Sequence, residues 1–335
     1  MAMPLLQFVI SGLAIVAAGT ALTHFADRIT EATKLGRRLV GSILLAGATS
    51  LPELTIDINA VRLGAPDLAV GDLVGSSLFN LLILALIDLS RHSRGQMFSR
   101  TAAAHALSGT ASIALTAIAA LSILTSRQWP GASVGGVSLG GIAILIAYAF
   151  AARLIFYDQQ ISARPSEGGG RKSLAPAGRT TLSKAIAGFV TAAAGIVIAG
   201  PFMAESAEKL ATLSGLGNTF VGSTLVAFCT SLPELVATVT AVRIGAFDLA
   251  IGNIYGSNAF NMVLLMPLDL FFPGSLLAAV SPTHAATCLA TILITSVAVM
   301  GQLYQVESRV RFLEPDAWLI IALVLGSLGM VYLLR

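Results

Sequence analysis

Apolar residues come in runs of about twenty along this chain, separated by short charged or Pro- and Gly-containing breaks. Coiled as a helix, a run of that length crosses about 30 Å of hydrocarbon. The pattern predicts ten membrane-spanning helices, near 4–26, 38–62, 67–88, 101–126, 135–157, 184–209, 218–243, 248–271, 282–304 and 316–334. The expected fold class is therefore an all-α membrane protein. No positively charged region precedes the first run and no small-residue cleavage pattern follows it, so it reads as a retained span and not as a removed signal.

Sliding the sequence on itself brings out one dominant offset, of 181 residues. Segment 41–88 reads GSILLAGATSLPELTIDINAVRLGAPDLAVGDLVGSSLFNLLILALID, and segment 222–269 reads GSTLVAFCTSLPELVATVTAVRIGAFDLAIGNIYGSNAFNMVLLMPLD. They agree without a gap at 25 of 48 positions, including Thr49/Thr230, Ser50/Ser231, Pro52/Pro233, Glu53/Glu234 and Asn80/Asn261. Five spans precede the second half, so the same sequence enters the membrane from the opposite face. The reading is two inverted-topology five-helix repeats, 1–157 and 184–335, about a pseudo-two-fold axis in the membrane plane. The stretch 158–183, rich in Gly, Ser and Pro, joins them as a linker. Its GGGRKS lacks the spacing of a phosphate-binding loop and any preceding strand, and reads as a solvated loop.

Composition narrows the class. The 335 residues are 56% hydrophobic and 11% charged, against about 25% charged in soluble domains. A soluble enzyme, a secreted disulfide scaffold and a disordered chain are all excluded, and Cys229 and Cys288 both lie inside apolar runs. Of the 20 Lys and Arg residues, sixteen fall in the odd-numbered connections, among them Arg28 to Arg38, Arg91 to Arg100 and Arg153 to Lys184. Positive charge gathers on the cytoplasmic side. Both termini are thus expected outside and the linker 158–183 in the cytoplasm, and the net charge of +3 reports orientation with no nucleic-acid partner.

The repeated polar residues supply the chemistry. Glu53 and Glu234 sit well inside apolar segments, where a carboxylate costs about 2.5–3.5 kcal/mol even on the lenient insertion scale. No Lys or Arg lies at comparable depth, so each Glu needs a cation or a proton. Pro52 and Pro233 immediately precede them and are expected to kink their helices, freeing the carbonyls of Ala48 and Cys229. Thr49 and Ser50 share a helix face with Glu53, and Ser76 shares one with Asn80. The two copies offer carboxylate, hydroxyl, amide and carbonyl oxygens and no nitrogen or sulfur, the donor set of a hard cation such as calcium. Asp57 and Asp72 face the same way, opposite Thr238 and Asn253 in the repeat; a direct role and a water-exposed vestibule are both open for them. Gly71/Gly252 and Gly75/Gly256 are expected to allow close helix packing. His24, His92, His105 and His284 have no repeat relation and are read outside the transport chemistry.

GATSLPEL with GDLVGSSLFN, and CTSLPEL with GNIYGSNAFN, resemble the two alpha-repeats of the sodium/calcium exchanger branch of the calcium/cation antiporter superfamily. The resemblance implies a transporter and not an enzyme, with no cofactor, carrying calcium and sodium through a prokaryotic-type plasma membrane without an obligatory protein partner. It implies a core of the second, third, seventh and eighth spans, across which the first and sixth slide. It would place calcium on Glu53, Glu234, Thr49 and Thr230. Sodium would fall to Ser50, Ser231, Ser76, Ser257 and the carbonyl oxygens of Ala46 and Ala227, with Asn80 and Asn261 in the same pocket. Two positions depart from the pattern: Asn261, where many members have Asp, and Asp72, where the motif has Asn. A proton/calcium exchanger of the same superfamily is the alternative, and a cation channel a weaker one, because dense carboxylate coordination suits occlusion better than a continuous pore.

Overall fold

The computed structural model describes residues 2–33, 47–90, 105–129, 133–162, 182–243, 247–304 and 315–334. Its helices are α1 (Ala2–Thr33), α2 (Leu51–Arg62), α3 (Pro66–Ser90), α4 (Ala106–Ser126), α5 (Leu139–Ser162), α6 (Leu182–Ser214) and α7 (Asn218–Thr230). The series continues with α8 (Leu232–Arg243), α9 (Phe247–Phe271), the one-turn α10 (Leu276–Ala279), α11 (Thr283–Tyr304) and α12 (Pro315–Leu333). Among the described residues seven helices are long and apolar enough to cross a membrane, or eight if α7 and α8, bent by 42° at Ser231, are one broken span. The shortfall from ten has local causes. Helix α9 has the length, 25 residues, but Asn253, Asn258 and Asn261 dilute its apolar character. Helix α2 has only 12 residues, and the start of its expected span, 38–46, lies outside the described residues together with Ala46 and most of the linker.

Two boundaries differ from the sequence reading. The fifth span was expected from 135, but helix α5 begins at Leu139. A two-stranded hairpin precedes it, β1 (Ser133–Val134) with β2 (Val137–Ser138), pairing Val134 with Val137. Gly135 and Gly136 take φ of 62° and 85°, the left-handed pair that a tight hairpin turn demands. Ser138 then caps α5 by accepting the Gly141 N–H at 3.2 Å, and Asp269 accepts the Ser138 N–H at 2.6 Å and the Leu276 N–H at 2.8 Å. Helix α5 also continues to Ser162, into the stretch expected to be linker.

Helix α3 lies at the centre. Of its most apolar window 83% is buried, against 11% for α5, and it packs against α2, α7, α9, α11 and α12. The outer helices turn Ile146, Phe150, Ile198, Phe202, Leu289 and Met300 outward, the surface a bilayer would cover. Helix α1 runs along α6 and also touches α8, while α6 also touches α2. Glycines 181 positions apart make these crossings: a Cβ on Gly19 would meet Pro233 Cγ at 2.6 Å, and one on Gly200 would meet Thr55 Cγ2 at 2.5 Å. Helices α3 and α7 approach still more closely, through Gly71, Gly75 and Gly222. A Cβ on Gly75 would lie 2.6 Å from Ser223 Cα, and one on Gly222 2.3 Å from the Leu68 carbonyl oxygen. The packing role expected for Gly71 and Gly75 is therefore present. Their repeat equivalents differ: Gly252 meets only the His105 ring at 3.5 Å, and Gly256 meets nothing within 4 Å among the described residues. His284 is buried with its Nε2 3.0 Å from Asp67 Oδ1, which also accepts the Ser281 N–H at 2.6 Å. That ties the start of α11 to the start of α3, a structural use of His284.

Candidate functional site

The buried polar residues concentrate where the two breaks meet α3 and α9. Each half has a helix interrupted at a serine, Ser50 before α2 and Ser231 before α8, and each restarts with Leu, Pro and Glu. Proline fits there because a first-turn N–H has no intrahelical partner to lose. The result is sharper than a kink within one helix. Leu54 N–H reaches Ser50 O at 3.1 Å, Leu235 N–H reaches Ser231 O at 3.0 Å, and the end of α7 is capped by backbone N–H groups on the carbonyls of Ala227 and Cys229. The Cys229 carbonyl expected to be freed by Pro233 is thus taken by the cap. Glu53 and Glu234 fall in the first turn of their new helices, where the positive end of the helix dipole favours a carboxylate.

Both glutamates are 1% exposed, and they lie near each other and near Asp72. Thr49 lies beside Glu234. Asp57 and Asp72 are as deeply buried and adjacent to each other, with Asp57 also near Glu53. Among the described residues these two aspartates are therefore buried and not water-exposed, and four carboxyls gather at this centre. Thr230, Ser76 and Asp72 form a triangle across the α3–α7 crossing. Thr230 Oγ1 donates to Asp72 Oδ1 at 2.8 Å, the Ser76 and Thr230 hydroxyls are 2.9 Å apart, and Ser76 Oγ lies 3.2 Å from the same Asp72 oxygen.

Two asparagines are held by their amide nitrogens. Asn80 Nδ2 donates to Asn258 Oδ1 at 2.9 Å, Asn258 Nδ2 donates to Ser77 O at 3.2 Å, and Asn261 Nδ2 donates to Leu73 O at 3.3 Å. This assigns the amide orientation from the network and leaves Oδ1 of both Asn80 and Asn261 buried without a partner. The hydroxyls of Ser50, Ser231 and Ser257, Oε2 of Glu53, both oxygens of Glu234, both of Asp57 and Oδ2 of Asp72 are in the same condition. At this centre the unpartnered atoms are acceptor oxygens, the complement of a hard cation. Ala227 O accepts the Ser231 N–H at 3.0 Å and faces Thr230 Oγ1 at 3.3 Å, and Ala46 lies outside the described residues. Among the described residues no three His, Cys, Asp or Glu side chains converge as a metal cage, so hydroxyl, amide and backbone oxygens would have to complete any coordination. Sequence reasoning missed Asn258, whose repeat partner is Ser77; a search for duplicated residues passes over it.

Together these features define a multi-pass helical membrane protein organised around a buried, oxygen-lined polar centre. The chain matches the sodium/calcium exchanger protein family over residues 3–157 and 184–334 and belongs to that family. It is 45% identical over 92 residues to the sodium/calcium exchanger MaX1 of Methanosarcina acetivorans, a stretch covering 27% of this chain and 26% of that relative. It is 29% identical over 269 residues to the inner membrane protein YrbG of Escherichia coli, covering 76% of this chain and 78% of YrbG. In fold it is similar to a solved structure of the sodium-calcium exchanger NCX_Mj soaked with sodium and strontium, with a TM-score of 0.57 at 18% identity over 98% of both chains.

Proposed function

We propose that this protein is a secondary antiporter exchanging calcium for sodium by alternating access. The observation that carries the reading is the pair Glu53 and Glu234: equivalent in the repeat, buried, close to each other, and surrounded by unpartnered oxygens. Two carboxylates match the charge of one calcium, whose six to eight oxygen ligands the surrounding groups can complete. In this reading Glu53, Glu234, Thr49 and Thr230 hold calcium. Ser50, Ser231, Ser76, Ser257 and the carbonyls of Ala46 and Ala227 hold sodium, and Asn80 and Asn261 line the same pocket. The proposed topology is ten spans in two inverted halves, 1–157 and 184–335, with both termini outside and the linker 158–183 in the cytoplasm. The lengthwise α1–α6 contact, and the crossing of each onto the opposite half, suit helices that slide over a fixed core.

Calcium uptake into proteoliposomes, with either a sodium or a proton gradient imposed and the other clamped, tests the reading. Uptake should follow sodium; uptake that ignores sodium and follows pH would replace it with proton/calcium exchange, and currents far above carrier rates would replace it with a channel. Asn261→Asp is expected to alter sodium dependence or electrogenicity more than calcium affinity, because it adds a charge where calcium is already balanced. Asn258→Ser removes the acceptor that holds Asn80. Losing one positioning hydrogen bond of about 0.5–1.5 kcal/mol should weaken apparent cation affinity by about 2- to 10-fold, with protein yield and helicity unchanged. An unaltered affinity would mean that the asparagine bridge serves packing alone.

A further inference from the structure

The 181-residue offset pairs Asp57 with Thr238 and Asp72 with Asn253, and the two halves treat these positions differently. In the second half the pair is complete: Asn253 Nδ2 donates to Thr238 Oγ1 at 3.1 Å, a neutral donor meeting a neutral acceptor. In the first half two carboxyls stand side by side. The two carboxyls lie within hydrogen-bond reach of each other, and neither Asp57 oxygen nor Asp72 Oδ2 meets any other hydrogen-bond partner, although the residues are 1% and 0% exposed. Among the described residues no Lys, Arg or His is ion-paired to either. Buried carboxyls that face one another without other donors are compatible with folding only if a proton or a cation lies between or beside them. The neighbouring groups, the Thr230 and Ser76 hydroxyls on Asp72 Oδ1, add oxygen and no nitrogen or sulfur.

We propose that Asp57 and Asp72 form a further cation site, present in the first half alone, that takes one sodium ion between their carboxylates. The identity of the ion rests on the sodium-driven reading above; the need for a compensating positive charge rests on the pair itself. Charge favours a monovalent ion here. Glu53 and Glu234 already balance one calcium or two sodium ions, and a second divalent ion beside them would face strong repulsion at close range. A sodium ion on the aspartates instead adds a single charge, so that three sodium ions meet four carboxylates with one negative charge to spare, where the glutamates alone would leave an excess positive charge. Through Thr230 and Ser76, which touch Asp72 and belong to the proposed calcium and sodium ligands, occupancy of this site is in direct contact with the exchange site.

The test is equilibrium binding of radioactive sodium to the purified full chain in detergent, compared with the variant Asp57→Thr/Asp72→Asn, which gives the first half the hydrogen-bonded pair of the second. The variant should bind one sodium fewer per chain, and the steepness of sodium displacement of calcium should fall by about one in Hill coefficient. Calcium binding retained within about tenfold reports that the variant is folded. In a second background, Glu53→Gln/Glu234→Gln, one sodium should still bind and should be lost when the aspartates are also replaced; this arm needs no exchange activity, so it separates failure of this site from failure of the exchanger reading. Equal sodium counts with and without Asp57 and Asp72 would overturn the proposal. So would a variant whose pH dependence changes while its sodium count does not, because the pair would then share a proton and no sodium.

Discussion

Glu53→Gln and Glu234→Gln should each abolish calcium exchange while leaving the protein folded and its melting temperature, measured without calcium, unchanged or raised. Each side chain is buried, in the first turn of a restarted helix and near the other glutamate and Asp72. Glutamine keeps the shape and removes the charge, so a divalent ion loses half of the compensation the glutamates provide. Removing one partner of a buried charge pair costs about 3–5 kcal/mol, which is a loss of about a hundredfold or more in calcium affinity. The free protein is affected in the opposite direction, because one of several crowded carboxylates no longer has to be desolvated. Stability and binding should therefore separate, and loss of the calcium-induced rise in melting temperature would show it in a single assay. The two substitutions should act equally, given their equivalence in the repeat. Near wild-type uptake in either variant would remove that glutamate from the site.

Much of this centre is legible in the sequence because duplication marks it. Glu53/Glu234, Ser50/Ser231 and Asn80/Asn261 stand out by recurring at one offset, and all of them are buried at the α2, α3, α8 and α9 contacts. What duplication cannot mark is the residue that differs between halves. Asn258 faces Ser77 in the repeat and so carries no signal, yet it supplies the acceptor that orients Asn80. Asp57 and Asp72 were placed on the right face by helical spacing, but spacing fixes direction around an axis and not what covers it. Only packing shows that they are buried. The helix breaks were half legible: Pro52 and Pro233 signal a disturbance, but the restart lies one to two residues earlier, at serines inside an unbroken apolar run. The hairpin before α5 was hidden for the same reason, since Val134 and Val137 continue the apolar pattern and only the Gly135–Gly136 pair interrupts it.

Among the three glycines of the α3–α7 crossing, Gly222→Ala should be the most damaging, with Gly75→Ala next and Gly71→Ala third. The order follows from what the added Cβ would meet: the Leu68 carbonyl oxygen at 2.3 Å, Ser223 Cα and O at 2.6 Å, and Thr219 O at 3.0 Å with Ser223 N at 3.1 Å. All of these are backbone atoms, which cannot rotate away as a side chain would. Helices α3 and α7 must move apart, at the typical overpacking cost of about 1–3 kcal/mol or more. The movement has a functional consequence, because the same crossing holds Thr230 against Asp72 and Ser76 at 2.8 and 2.9 Å. An opening of about 1 Å would take those contacts beyond hydrogen-bond range and separate a proposed calcium ligand from a proposed sodium ligand. Melting temperature and calcium affinity should therefore fall together in the order 222, 75, 71. Gly195→Ala is the control in the α1–α6 contact, where the new Cβ would meet only Ala18 Cβ at an ordinary 3.5 Å; it should leave both quantities unchanged. If Gly222→Ala matched that control, the close approach of α3 and α7 would not be what sets the spacing of Thr230, Asp72 and Ser76.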